Sequence, residues 1–334
     1  MVGGEKPFVI SCGDPAGIGP EIISKSWLQR KERNLHPFFV AGNVTDFTDL
    51  DLAPVVKISN PSEAGDLFAS SLPVLNTHDG NAAIPGDPKL DDAQCALHSL
   101  EIACGLARSA DASAVVTAPV SKSQLYQVGF RYPGQTEFVS ERCGIARENA
   151  VMMLAGPSLR VIPMTTHIPL KDVPLHLTQD LIVARAVAAD KAMKRNFGIE
   201  NPRIAIAGLN PHAGEDGNLG DEERQTMQPA IDELRSRDIE ITDPLPADTM
   251  FHEEARAKYD VALCPYHDQA LVPLKTLHFF DGVNMTLGLP IVRTSPDHGT
   301  AFNIAGKNIA DPRSMIAAIQ MAKTAVSNRM KFEN

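Results

Sequence analysis

Three of the ten histidines share one setting. His167 closes Val161-Ile162-Pro163-Met164-Thr165-Thr166-His167, His212 closes Ile204-Ala205-Ile206-Ala207-Gly208-Leu209-Asn210-Pro211-His212, and His267 closes Val261-Ala262-Leu263-Cys264-Pro265-Tyr266-His267. Each lies just past an apolar run with strand character. If those strands share a sheet, three imidazoles converge on one rim, which suits a divalent metal with a position left open for substrate. Their separations match no short metal motif, so hydrogen-bonded structural histidines are the alternative. Asp268 can orient the His267 ring from behind, or stand as a surface carboxylate. His36, His78, His98, His176, His252 and His278 lack this setting and read as structural. Two cations stand in apolar company: Lys275 within residues 271–280, and Arg293 in the run 291–294. On a chain of net charge −10, they suggest a local pocket for a phosphate or carboxylate. Buried ion pairing to Asp281 or Asp297 is the competing explanation.

The elements that must position these groups alternate. Apolar runs of strand character occur at 8–12, 38–41, 114–117, 150–154, 159–164, 204–207, 261–264 and 291–294. Helical patterns lie between and after them at 20–33, 91–109, 178–197, 222–237 and 312–328. In the second of these, Ala93, Leu97, Leu100, Cys104 and Ala107 fall on one face behind an acidic start. Alternation of this kind predicts an α/β fold with a mostly parallel sheet, whose sites lie at the carboxyl ends of strands. Residues 13–21, Gly-Asp-Pro-Ala-Gly-Ile-Gly-Pro-Glu, follow the first strand and open a helix. Their glycines permit a ligand to approach backbone at a positive helix end, or simply make a tight turn. They form neither the GxGxxG fingerprint nor a Walker loop.

The chain's 334 residues, 43% hydrophobic and 22% charged, predict one large or two ordinary globular domains. The acidic balance argues against nucleic-acid and anionic-membrane partners. No apolar run reaches the roughly 20 residues of a membrane span. The amino terminus lacks a signal-peptide core, which makes the cytoplasm the expected compartment. Five cysteines without a CxxC pair read as reduced thiols.

The loop Asp297-His298-Gly299-Thr300-Ala301-Phe302-Asn303-Ile304-Ala305-Gly306-Lys307 resembles the loop that isocitrate and isopropylmalate dehydrogenases wrap around the adenosine half of their nicotinamide cofactor. Several other segments join it in resembling one family across essentially the whole chain. They are the glycine turn, Ala118-Pro119-Val120-Ser121-Lys122, Thr165-Thr166-His167, Leu209-Asn210-Pro211-His212-Ala213-Gly214-Glu215 and Tyr266-His267-Asp268-Gln269. That family is 4-hydroxythreonine-4-phosphate dehydrogenase.

The resemblance implies an isopropylmalate dehydrogenase-like α/β fold with two domains around a central cleft. The first domain would be 1–135 plus 285–334 on the cofactor side; the second, 136–284, would carry metal, substrate and dimer contacts. It also implies a homodimer with shared sites, a small phosphorylated substrate, NAD or NADP, and one zinc, magnesium or cobalt ion per site. His167, His212 and His267 become metal ligands. Gln135, Thr136, Lys275, Asn284 and Arg293 fall on substrate positions, and His298, Gly299, Thr300, Ala301 and Asn303 on cofactor positions. Lys275 and Asp248 are the candidates for moving the hydroxyl proton. The implied reaction is hydride transfer to NAD, then loss of carbon dioxide from the resulting β-keto acid, giving 3-amino-2-oxopropyl phosphate. One departure bears on the substrate: the family's Gly-His-Thr-Glu is Gly134-Gln135-Thr136-Glu137 here, and Gln135 cannot become cationic. A D-threonate or D-erythronate 4-phosphate dehydrogenase, or a metal-dependent lyase without nicotinamide, are the alternatives.

Overall fold

The structure is a computed structural model and describes residues 6–332. In chain order its strands are β1 (Phe8–Ser11), β2 (Phe38–Gly42), β3 (Val55–Ile58), β4 (Leu72–Asn76), β5 (Val115–Thr117), β6 (Val151–Gly156), β7 (Leu159–Pro163), β8 (Ile204–Ile206), β9 (Val261–Cys264), β10 (Val283–Leu287) and β11 (Arg293–Pro296). The longer helices are α1 (Gly19–Leu28), α2 (Leu90–Arg108), α3 (Gln135–Arg142), α4 (Gln179–Phe197), α5 (Gln228–Ser236), α6 (His267–Leu277) and α7 (Arg313–Phe332). The chain divides into two compact units. The first comprises residues up to Arg147 with Leu289–Val326, and the second Glu148–Gly288 with the chain from Ser327.

The first unit orders its strands β3-β4-β2-β1-β5-β11, each neighbouring pair parallel. Every residue of β1 and β2 is buried, as expected where helices cover both faces of a parallel sheet. Helix α2 buries Ala93, Leu100, Cys104 and Ala107 from the face read in the sequence, while Leu97 is half-buried. At its start the Asp92 carboxylate accepts from the Lys89 amide at 2.7 Å. Ser99 stitches the helix to the strand ends, donating to the Ala41 carbonyl at 2.6 Å and accepting from the Cys12 amide at 2.9 Å. Helix α3 belongs to this unit although the sequence reading put residues from 136 onward in the other domain. Arg142 grips Glu101 of α2 at 2.7 Å, and Phe138 stacks on Phe130 with centroids 5.6 Å apart.

The second unit orders its strands β10-β6-β7-β9-β8. Strand β6 is antiparallel to both β10 and β7, whereas β7, β9 and β8 run parallel side by side. Leu154, Val161, Ala205, Ala262, Ala270 and Leu274 pack into a core between these strands and α6. Complete burial contributes about 1.5–3 kcal/mol for each larger aliphatic side chain. All five cysteines are free, four of them buried. Among the described residues no helix is long and apolar enough to cross a membrane.

Candidate active site

In the second unit, the three histidines stand where the parallel trio of strands ends. His167 follows β7, His267 opens α6 after β9, and His212 lies in the turn after β8. Because β9 sits between β7 and β8, these carboxyl ends are neighbours. The end of β7 is fastened to the end of β9: the Met164 amide donates to the Cys264 carbonyl at 2.7 Å, and the Thr165 hydroxyl to the Pro265 carbonyl at 2.7 Å. The fastening brings the His167 and His267 rings to a centroid separation of 5.5 Å. His267 Nδ1 lies 2.7 Å from Asp268 Oδ1, which sets the ring's orientation and directs Nε2 away from that carboxylate. His167 and His212 are exposed and both backbones are left-handed, with φ 54° and 53°. Within the single chain, no three His, Cys, Asp or Glu side chains among the described residues are grouped as a complete metal site.

Lys275 lies on α6 eight residues beyond His267, about 12 Å along the axis, with Nζ 5.6 Å from the Phe279 ring centroid. Asn284 lies on β10, and its buried Oδ1 has no hydrogen-bond partner among the described residues. Asp248 is exposed at the turn 246–249, where the Thr249 amide donates to the Pro246 carbonyl at 3.2 Å. Asp281, a possible ion partner for Lys275, lies 3.4 Å from His278 Nδ1.

In the first unit, Arg293 and Gln135 meet at the end of β5. Arg293 is only 3% exposed and donates through Nη2 to the Thr117 hydroxyl at 2.7 Å. Burial lowers its guanidinium to about 10, and nearby Glu137 pushes back towards the charged form. Gln135 donates to the Ala118 carbonyl at 3.2 Å, while its buried Oε1 lacks a partner among the described residues. Thr136 follows in the first turn of α3, whose preceding Gly134 supplies no side-chain cap. A buried cation beside an uncapped helix start is a setting that accepts an anionic group.

The glycine turn and the 298–306 loop clasp each other. The Ile18 amide donates to the Thr300 carbonyl at 2.9 Å, and a Cβ on Gly17 would lie 2.8 Å from that same oxygen. At Gly13, φ is +73° and a Cβ would collide with the Pro119 carbonyl, so only glycine fits. His298, Gly299 and Asn303 are exposed, Thr300 is half-buried, and Ala301 is left-handed at φ 45°. Beside this clasp opens a cavity of about 240 Å³, lined by residues that include Pro15, Gly17, Glu21, Asp46, Pro85 and Gly306. Glu21 and Asp46 each keep one buried carboxylate oxygen without a partner among the described residues.

Asp14, in the same turn, is 2% exposed, and burial raises its carboxyl to about 6, although the Ala16 amide bonds its Oδ1 at 3.2 Å. A carboxyl raised above its unfolded value binds more protons when folded, so its contribution to stability falls as pH rises from about 4 to about 6. Asp14→Asn keeps an acceptor for Ala16 and removes the buried charge. Urea unfolding at pH 7 is expected to show a gain on the order of 2 kcal/mol, vanishing below about pH 4. Equal stability of the two proteins at pH 7 would mean that the carboxylate is compensated by a partner.

Sequence inspection passed over Glu223 and Asn210 as interacting partners. The Glu223 carboxylate accepts from the Asn210 backbone amide at 2.8 Å and from its side-chain amide at 2.9 Å. An acidic residue at a helix start carries no signal that it reaches back to an earlier loop. His36 and His278 have local structural partners: His36 stacks on Phe8 at 4.1 Å, and His278 bonds Ser158 at 2.9 Å.

The scaffold and these strand-end residues define the protein first as an enzyme of the α/β class with a mostly parallel sheet. Residues 33–322 match the family described as pyridoxal phosphate biosynthetic protein PdxA. A 4-hydroxythreonine-4-phosphate dehydrogenase of Zymomonas mobilis is 52% identical over 327 residues, with 98% of each chain covered. One from Erythrobacter litoralis is 51% identical, covering 97% of this chain and 98% of its own. The crystal structure of 4-hydroxythreonine-4-phosphate dehydrogenase from Klebsiella pneumoniae superposes with a TM-score of 0.84 at 36% identity, covering 96% of this chain and 100% of that one. The chain belongs to the PdxA family, as its loops already suggested.

Proposed function

We propose that the protein oxidises and decarboxylates 4-phosphohydroxy-L-threonine to 3-amino-2-oxopropyl phosphate and carbon dioxide, using NAD, in pyridoxal phosphate biosynthesis. The observation that carries this reading is the pair His167 and His267, 5.5 Å apart on adjacent parallel strand ends, in a chain about half identical to dehydrogenases bearing that substrate's name. Two imidazoles on one tetrahedral ion have centroids about 5 Å apart, so the pair fits zinc or cobalt better than magnesium, which takes octahedral oxygen ligands. His212 is the third ligand on this reading, and the set is completed between two subunits of a homodimer. Exposed Leu170, Leu175, Val272, Phe279 and Phe280 in the second unit supply apolar surface for such a pairing. The cavity beside 298–306 fits the adenosine half of NAD. Glu21 and Asp46 can accept from ribose hydroxyls there, and their charge disfavours the 2′-phosphate of NADP.

When bound, the metal supplies Lewis-acid stabilisation of negative charge on the substrate oxygen, and the nicotinamide accepts hydride. The chain's own residues do the rest. Arg293 and Lys275 bind the anionic ends of the substrate and orient its hydroxyl-bearing carbon. Thr136, Gln135 and Asn284 add neutral hydrogen bonds. Lys275 or Asp248 takes the hydroxyl proton. His298, Gly299, Thr300, Ala301 and Asn303 hold the cofactor. Free thiols suit a reducing compartment such as the cytoplasm.

Gln135 favours one second reading, oxidation of D-threonate or D-erythronate 4-phosphate. Its Oε1 accepts a hydrogen bond without carrying charge, and an amine or a hydroxyl can equally donate to it. The deciding experiment follows NADH formation with 4-phosphohydroxy-L-threonine beside D-threonate 4-phosphate, before and after chelation and with zinc or magnesium restored. Turnover of the amino acid, lost on chelation and recovered with metal, is the expected result. Preference for the threonate would move the protein to sugar-acid breakdown, and metal-independent turnover would remove the histidines' role.

A further inference from the structure

Six consecutive residues, His212 through Gly217, have positive φ, at 53°, 53°, 82°, 43°, 56° and 91°. His212, Ala213, Glu215 and Asp216 each carry a Cβ, so this left-handed turn is costly and persists only if its surroundings hold it. A buried carboxylate lies against its base. Glu223, 7% exposed, accepts from the Asn210 amide through Oε1 at 2.8 Å and from the Asn210 side chain through Oε2 at 2.9 Å. Asn210 Nδ2 also reaches Glu222 Oε2 at 2.8 Å. The turn is folded directly over the clamp: a Cβ on Gly214 would stand 2.8 Å from Glu223 Oε2. A Cβ on Gly208 would meet Ala213 Cα at 2.8 Å and Glu223 Oε1 at 3.2 Å. Glu223 itself begins a single π-helical turn, Glu223–Met227, ahead of α5, a feature found disproportionately at functional positions. From the other side, Gln269 on α6 donates to the Gly208 carbonyl at 2.8 Å, tying the base of the same loop to the helix that His267 opens.

We infer that Glu223 is a positioning residue for His212: its carboxylate clamps Asn210 and locks the left-handed turn that presents the imidazole. The inference rests on the proposed role of His212 as a metal ligand. Glu223 acts through Asn210 and the turn, without touching metal or substrate.

The test is calorimetric titration of the chelator-stripped full-length protein with cobalt(II), comparing wild type, His212→Ala, Glu223→Gln, and Glu223→Gln combined with Ala213→Gly. Glu223→Gln keeps the side chain's shape but sets an amide against the Asn210 amide. It is expected to weaken cobalt binding about 10- to 100-fold, the usual effect of removing a group that supports a metal ligand. Adding Ala213→Gly should restore the affinity to within about three-fold of wild type, since glycine adopts positive φ without a Cβ penalty. A merely structural role would lower the melting temperature and leave cobalt affinity unchanged; that outcome overturns the inference. So does a loss that Ala213→Gly cannot recover, because the carboxylate would then act through its charge. If His212→Ala binds cobalt as wild type does, the metal reading fails and takes the positioning role with it. Loss in His212→Ala with none in Glu223→Gln sinks the clamp alone. Should Glu223→Gln fail to fold, Asn210→Ala breaks the clamp from its half-buried end and carries the same expectations.

Discussion

His212→Ala is expected to lower turnover at least about a hundred-fold and to leave the purified enzyme depleted of metal, with its fold intact. On the metal-site reading proposed above, removing one of three imidazoles costs a ligand outright, and groups that merely support ligands already cost about 10- to 100-fold. On the proposed reading the loss falls on chemistry, because a bound metal would supply stabilisation of negative charge on the substrate oxygen. Stability should change by no more than about 0.5 kcal/mol, since His212 is exposed and alanine faces the same left-handed backbone penalty as histidine. Elemental analysis, NADH formation and thermal unfolding on one preparation check the three parts together. Full activity with normal metal content would remove His212 from the metal site.

Arg293→Ala is expected to raise KM for the phosphorylated substrate about 10- to 100-fold, well beyond its effect on kcat. A charge-assisted bond to a buried guanidinium is worth about 1.5–3 kcal/mol, and a loss of that size in substrate binding corresponds to this range of KM. Arg293 is held in place by its strand and by a hydrogen bond. It leaves β11 in register with Val115 of β5, and its Nη2 is anchored on the Thr117 hydroxyl. Arg293→Lys should recover only part of the loss, since lysine restores charge but not the planar fork. An unchanged KM in the alanine variant would return Arg293 to a purely structural role.

Much of the fold was legible because its signals are local. The apolar runs at β1, β2 and β9 are buried on both sides of their sheets, with Ser11 the one polar residue in these strands. Helix α4 announces itself through Thr178, whose hydroxyl accepts from the Leu181 amide at 3.2 Å, and ends at left-handed Gly198. Elements that escaped notice have mixed signals. Strand β3 is an edge strand with Lys57 exposed, β4 contains Pro73, and β10 interleaves Asn284 and Thr286 with apolar residues. Helix α6 carries Pro273 inside it, and α3 is short and mostly polar.

The sequence by itself determined to which family the chain belongs, and it singled out the residues proposed to carry chemistry. The histidines past three apolar runs, the 298–306 loop and the glycine turn are contiguous motifs, and contiguity is what a linear reading detects. Only the tertiary structure decided that β9 inserts between β7 and β8, that Gln135 and Arg293 both reach the end of β5, and that Glu223 returns to Asn210. The physical reason is range. Periodicity and turn chemistry act over a few residues, whereas strand order and the burial of a carboxylate are settled by crossovers and packing between segments far apart in the chain. Nor could a left-handed run with four non-glycine residues be read locally, because a residue with a Cβ disfavours positive φ and gives no signal that it adopts one.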